Sequence, residues 1–275
     1  MLFAVGALRQ THPMQQELLT LDAYGDGLGR AATVLRANAA AAGLEAAVPT
    51  CPAWTVLDLV AHVGMVHRWA IGHLRGAPVE DAAALEREGR EQRDVLGWFD
   101  DGATALLQAL VDAPDDLDAP VFLKDAPPAR LFWTRRQCHE TTIHAVDAIG
   151  ARLGRPARAE ETWLRDAMAL DGIDELLRGF LPRRRQGVFA AEDRRVLVRP
   201  DGLDVGWFVH VHPDTPVETT RLDLASQVPP AADQLLTGSP VGLYLRLWNR
   251  AAQPEPPAPD SVEAWWRDHV TVNWA

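Results

Sequence analysis

Cysteine is scarce: Cys51 and Cys138 are the two in 275 residues. A chain so large and so poor in cysteine is not held by a disulfide scaffold, and reduced thiols suit a cytoplasmic home. No apolar run approaches the roughly 20 residues a membrane-spanning helix needs. The opening MLFAVGALRQTHPMQQ has a short apolar piece, with no basic residue before it and no convincing cleavage site. It reads as a poorly ordered leader, not a signal peptide. Positive charge is also in deficit, with 27 Lys and Arg against 38 Asp and Glu and a net charge of -11. An acidic surface repels phosphate backbones, which argues against a nucleic-acid partner. The one compact basic run, Arg183-Arg184-Arg185, reads as solvated linker. Tyrosine is rare beside ten tryptophans, but tryptophan serves cores and pockets alike and excludes nothing.

What is present is an ordinary globular composition, 47% hydrophobic and 24% charged. The length suffices for one large domain or two modest ones. The first half has helical periodicity. Helix one is expected over Glu17 to Ala42, closed by Gly43. Thr55 and Asp58 form a capping-box pattern at the start of helix two, Val56 to Leu74. Helix three is expected from Glu80 to Val111, with a possible break near Gly97 or Gly102, and helix four from Ala129 to Ile149. A fifth follows, Glu160 to Leu177. Beyond Pro182 the pattern shortens to strands at Arg195 to Arg199, Leu203 to His212 and Thr219 to Leu224. Helical pieces at Val241 to Arg250 and Ser261 to Val270 flank the Pro-rich QPEPPAPD. The expectation is an α+β protein: a four-helix bundle over residues 17–180, then a small α+β domain over 187–275.

The chemistry concentrates in RRQCHETTIHAVDAIG on helix four. Glu140 and His144 are four residues apart and project from one helix face. A carboxylate and an imidazole so placed can grip one divalent metal. His139 gives the text a likeness to HExxH, but His139 and His144 are five apart and point differently, so the metalloprotease reading fails. A catalytic zinc site needs a third protein ligand and an open position. His62, on the apolar stripe of helix two with Leu59, Val63 and Val66, supplies it. The plainer alternatives are a buried histidine with a backbone partner and a surface Glu–His pair. Bundle cores are a common place to build metal sites, which favours the joint site.

Other residues carry plainer readings. Asp58 caps helix two, or orients His62. Asp147, three residues past His144, is either a partner to that ring or a surface carboxylate. Cys51 and Cys138 are structural. His210 and His212 alternate along a strand and share one side; they form a polar solvent face or, less simply, a metal-binding pair.

VPTCPAWTVLDLVAHVG and HETTIHAVDA together resemble the mycothiol-dependent maleylpyruvate isomerase family, within the DinB-like four-helix-bundle superfamily. LTGSPVGLYLRLWNR resembles that family's C-terminal module, similar to sterol-carrier folds. The resemblance implies Zn²⁺ held by His62, Glu140 and His144, and mycothiol as cosubstrate. Arg250 falls at the family's arginine after the LW element, which implies a substrate anchor; Arg90 and Arg93 are further candidates for carboxylates. The implied reaction uses a metal-activated thiolate. It adds to a cis double bond and leaves after rotation, or stays attached to an electrophile. Ala53 and Ala145 depart from the family pattern, at positions that carry glycine and arginine in many members, so the substrate can differ. Two other readings fit the same residues: a non-enzymatic small-ligand-binding protein with a structural metal or none, and a DinB-like metal hydrolase.

Overall fold

The computed structural model describes residues 19–77, 81–183, 188, 190, 192–251, 261–270 and 272. The fold is α+β: eight α-helices and a four-stranded sheet among these residues. The leader, Glu17, Glu80, Arg184, Arg185 and the QPEPPAPD linker lie outside them.

Helices α1 (Leu21–Ala42), α2 (Val56–Leu74), α4 (Val95–Asp112) and α5 (Ala129–Leu153) form the bundle. α1 packs along α5, and α2 packs on both α4 and α5. Thr20 caps α1, accepting from Ala23 N–H. Thr55 and Asp58 close the expected capping box on α2. α5 is buried from Phe132 to Ala151 without interruption, polar residues included. It is the central helix, so its many polar groups must find partners inside the protein. Gly154, at φ 67°, ends it in the left-handed turn typical of helix C-termini.

The expected third helix is two. α3 (Ala82–Glu91) stops at Gln92, and Asp94 starts α4 by accepting from Gly97 N–H. The break lies at this new cap, while Gly97 and Gly102 sit inside α4. The fifth helix is also shorter than its pattern. Ala159–Glu161 is a separate 3₁₀ turn. α6 (Asp166–Asp174) then continues as a π-helical stretch, Glu175–Phe180, with Leu181 N–H bonded to Leu176 O at 3.0 Å.

The sheet has the order β3-β2-β1-β4. β1 (Arg194–Pro200) and β2 (Val205–Val211) are antiparallel, as are β2 and β3 (Glu218–Asp223). β4 (Gln234–Gly238) lies parallel to β1 at the edge. Its sequence, QLLTG, leaves Leu235 exposed and buries Leu236 alone, so it carries no alternating signal. α7 (Pro240–Leu247) and α8 (Val262–His269) follow. Arg250 lies beyond α7, after Asn249 in a left-handed turn at φ 58°. One apolar cluster runs from Phe132, Trp133 and Leu176 through Tyr244 to Trp207 and Val209 of the sheet. Trp207 Nε1 donates to Asp174 at 3.0 Å and Trp248 Nε1 to Gly172 O at 3.2 Å, tying the sheet half to α6.

Candidate metal centre

α2 and α5 bring His62, Glu140 and His144 together. Glu140 Oε1 lies 3.5 Å from His62 Nε2 and 3.2 Å from His144 Nε2. The three donor atoms all fall within 4.8 Å of one another. Zinc bonds of about 2.0–2.1 Å set tetrahedral ligands about 3.3 Å apart, so these gaps suit a shared ion. Glu140 Oε1 is buried yet accepts no hydrogen bond. A buried carboxylate oxygen left open toward two imidazoles is the mark of a site built for a cation, and the residues fit zinc.

Glu140 and His144 are each held from behind. Glu140 Oε2 accepts from Arg136 Nη2 at 2.8 Å, and Arg136, fully buried, also pairs with Glu175 at the start of the π-helical stretch. Burial alone would raise the Glu140 pKa. His144, His62 and Arg136 outweigh it and hold the carboxyl well below its usual range. His144 Nδ1–H donates to Asp147 Oδ2 at 2.9 Å, which leaves Nε2 to face Glu140. Burial alone would depress the His144 pKa. The bond to Asp147 and the charge of the Glu140 carboxylate beside the ring prevail and lift it to about 9. Trp54, in the connector before α2, lies over both rings, at 4.8 Å from His62 and 5.8 Å from His144 between centroids. His62 is the most accessible of the three, with 12% of its side chain exposed, so the centre opens on its side.

Asp147 is fully buried and is the hub of this support. It accepts from Thr50 Oγ1 at 2.5 Å and from Arg250 Nε at 3.0 Å besides His144. Burial pushes its pKa up, but Arg250 and His144 together bring it down to about 2. Arg250 thus reaches Asp147 from the sheet half. Its Nε and Nη1 are already engaged, by Asp147 and by Trp248 O at 2.8 Å, and Nη2 faces Cys51 Sγ at 3.7 Å. Cys51 is pushed up to about 12 by burial and by Asp147, so it is a neutral thiol and no nucleophile.

The other singled-out residues lie elsewhere. Asp58 serves the cap and binds Arg90 at 2.8 Å rather than His62. Arg90 is spent on Asp58 and Glu86, and Arg93 is exposed in the turn between α3 and α4. His139 turns away from the centre and donates to Asp171 at 2.6 Å, which agrees with rejecting HExxH. His67, one turn beyond His62, bonds Thr141 Oγ1 at 2.9 Å; burial and nearby Arg68 drop its pKa to about 3, so it stays neutral. Ala145 is fully buried in the apolar cluster with Leu35, Val60 and Phe99. Sequence reasoning missed Trp54 and Arg136 as parts of the centre. Arg136 was signalled by its place four residues before Glu140, on the same helix face.

Residues 26–149 match the family described as mycothiol maleylpyruvate isomerase N-terminal domain. That segment holds α2 and α5 and all three donor residues. The match falls within the helical half. Two solved structures share the fold beyond it. One is the mycothiol-dependent maleylpyruvate isomerase, 16% identical with a TM-score of 0.53. The other is a histidine-to-alanine variant of such an isomerase, 15% identical with a TM-score of 0.53. Each alignment covers 87% of this chain and 97% of the other, so the architectural likeness extends through the sheet half. No curated protein matches the chain in sequence. Among the described residues no helix is long and apolar enough to cross a membrane.

Proposed function

We propose that this chain is a zinc- and mycothiol-dependent enzyme of the isomerase or S-transferase type, with His62, Glu140 and His144 as its metal ligands. The observation that carries this reading is the convergence of the three donor atoms around an unpartnered, buried Glu140 oxygen. The N-terminal domain family and the fold of the solved isomerases support the thiol as cosubstrate. In this reading the bundle over residues 17–180 carries the chemistry and the α+β domain over 187–275 completes the site. A zinc ion bound here supplies the positive charge that turns a thiol into a thiolate at neutral pH.

The chain's own residues do the rest. Arg136 fixes the Glu140 carboxylate and keeps it ionised. Asp147 fixes the His144 tautomer, and Arg250 fixes Asp147. Arg250 acts as a positioning residue, its fork engaged by Asp147 and Trp248 O. Trp54 walls off one side of the rings and limits water there. The activated sulfur adds to one carbon of a maleylpyruvate-like cis double bond, and the electron pair moves into the conjugated carbonyl. The bond, now single, rotates; the pair returns and expels the thiolate, leaving the trans isomer. With an electrophile that carries a leaving group, the sulfur stays on the product.

The test is zinc content of the purified protein, with His62→Ala and Glu140→Ala beside the wild type. Each variant is expected to hold one equivalent less than the wild type and to lose mycothiol-dependent turnover. Zinc retained in full by both variants overturns the site.

A further inference from the structure

The outer face of the sheet carries a second convergence of ligating groups, some of it visible in the sequence as the alternating pair His210 and His212. The two residues are two apart on β2 and its exit, so their rings stand side by side, with centroids 3.7 Å apart. The structure adds a third group. Asp193, which leads into β1, places Oδ1 3.5 Å from His210 Nε2 and 3.4 Å from His212 Nδ1. These gaps exceed the roughly 2.7–2.9 Å of a charge-assisted hydrogen bond. They match the roughly 3.3 Å between two ligands of one tetrahedral zinc. All three donor atoms lie within 4.8 Å of one another, as in the first centre.

The surroundings favour a cation over a solvated polar face. His210 Nε2 and His212 Nε2 are both shut off from solvent without a hydrogen-bond partner. With His212 ligating through Nδ1, its Nε2 faces Glu218 Oε2 on β3, 3.9 Å away. That carboxylate stands where a partner orienting a metal-bound imidazole stands. Arg195, in register with His210 and on the same face, pairs with Asp233 at 2.8 Å.

We propose that Asp193, His210 and His212 form a second divalent-metal site, independent of the first, for an ion of the zinc class that accepts imidazole and carboxylate. The ion clamps the segment entering β1 onto β2, with its fourth position open to water.

The experiment is titration of the purified, metal-stripped full chain with Zn²⁺ against a chromogenic chelator. It compares the wild type, Glu140→Ala, His210→Ala/His212→Ala and Asp193→Asn. The expected result is two equivalents in the wild type and one in each of Glu140→Ala and the double variant. Asp193 is exposed, so Asp193→Asn leaves folding intact. It is expected to weaken the remaining equivalent in a Glu140→Ala background at least tenfold, on the order of the loss that follows when a metal site's support is removed. The midpoint of thermal unfolding of Glu140→Ala rises with added Zn²⁺, and that rise disappears when His210 and His212 are also replaced. Zinc binding identical in the wild type, the double variant and Asp193→Asn overturns the second site. An unchanged Glu140→Ala overturns the first centre alone.

Discussion

Asp147 shows how much a single carboxylate can organise. It is fully buried, stays ionised, and is shared among a threonine, a histidine and an arginine. Replacing it with asparagine removes the negative charge that keeps Nδ1 of His144 protonated and leaves the Arg250 guanidinium short of its partner. Asp147→Asn is expected to weaken zinc binding about tenfold to a hundredfold, measured by chelator competition, while the helical content by circular dichroism stays near wild type. The convergence of the three proposed ligands was legible in the sequence because helical spacing fixes faces: Glu140 and His144 share one, and His62 sits on an apolar stripe. The choice left open for Asp147 was not decidable that way. Its decisive partner, Arg250, lies 103 positions further along the chain. No local period carries that information.

At the scale of elements, the close approach of α2, α3 and α4 rests on glycine. A Cβ built on Gly64 would stand 2.2 Å from the Trp98 ring, and one on Gly89 would stand 2.8 Å from it. The indole has no easy retreat. The Arg68 guanidinium lies 3.6 Å over its ring, and its Nε1 donates to Glu88 at 3.1 Å. Gly64→Ala is therefore expected to destabilise the protein by about 1–2 kcal/mol in denaturant unfolding, overpacking outweighing the better helix propensity of alanine. An unchanged or raised midpoint would contradict this packing. The main helices were readable from periodicity and caps; the start of α2 was marked by Thr55 and Asp58. The break between α3 and α4 was expected a few residues too late, near Gly97 or Gly102, because Asp94 acts as a cap only where the chain turns. β4 escaped because an edge strand with one buried residue has no alternation to see. The π-helical stretch has the same composition as an α-helix, and its difference lies in hydrogen bonds alone.

Across the whole molecule, a buried charge cluster locks α1, α5 and α6. Asp171 accepts from Tyr24 at 3.0 Å, Arg135 at 2.9 Å and His139 at 2.6 Å. Burial pushes its pKa up, yet His139 and Arg135 bring it down to about 2, below the ordinary 3.8. A depressed carboxylate pKa stabilises the fold at pH values above the unfolded one. That contribution, about 2 kcal/mol, is lost as pH falls from about 4 to about 2. Asp171→Asn is expected to be less stable than the wild type at pH 6, and the gap in unfolding free energy should narrow steadily below pH 4. A gap constant with pH would sink the assignment. The meeting of the two halves was not legible from their sequences. Trp207 gives no sign that it bonds Asp174, nor Trp248 that it bonds Gly172. The link from Arg250 through Asp147 to His144 has a consequence for biosynthesis. A ribosome delivers all the ligating residues well before it delivers the guanidinium that steadies them. If the proposed zinc is bound, a nascent helical half can collect it early, but the tautomer is locked only after the later polypeptide has closed over it, so the order of translation sets when the centre matures.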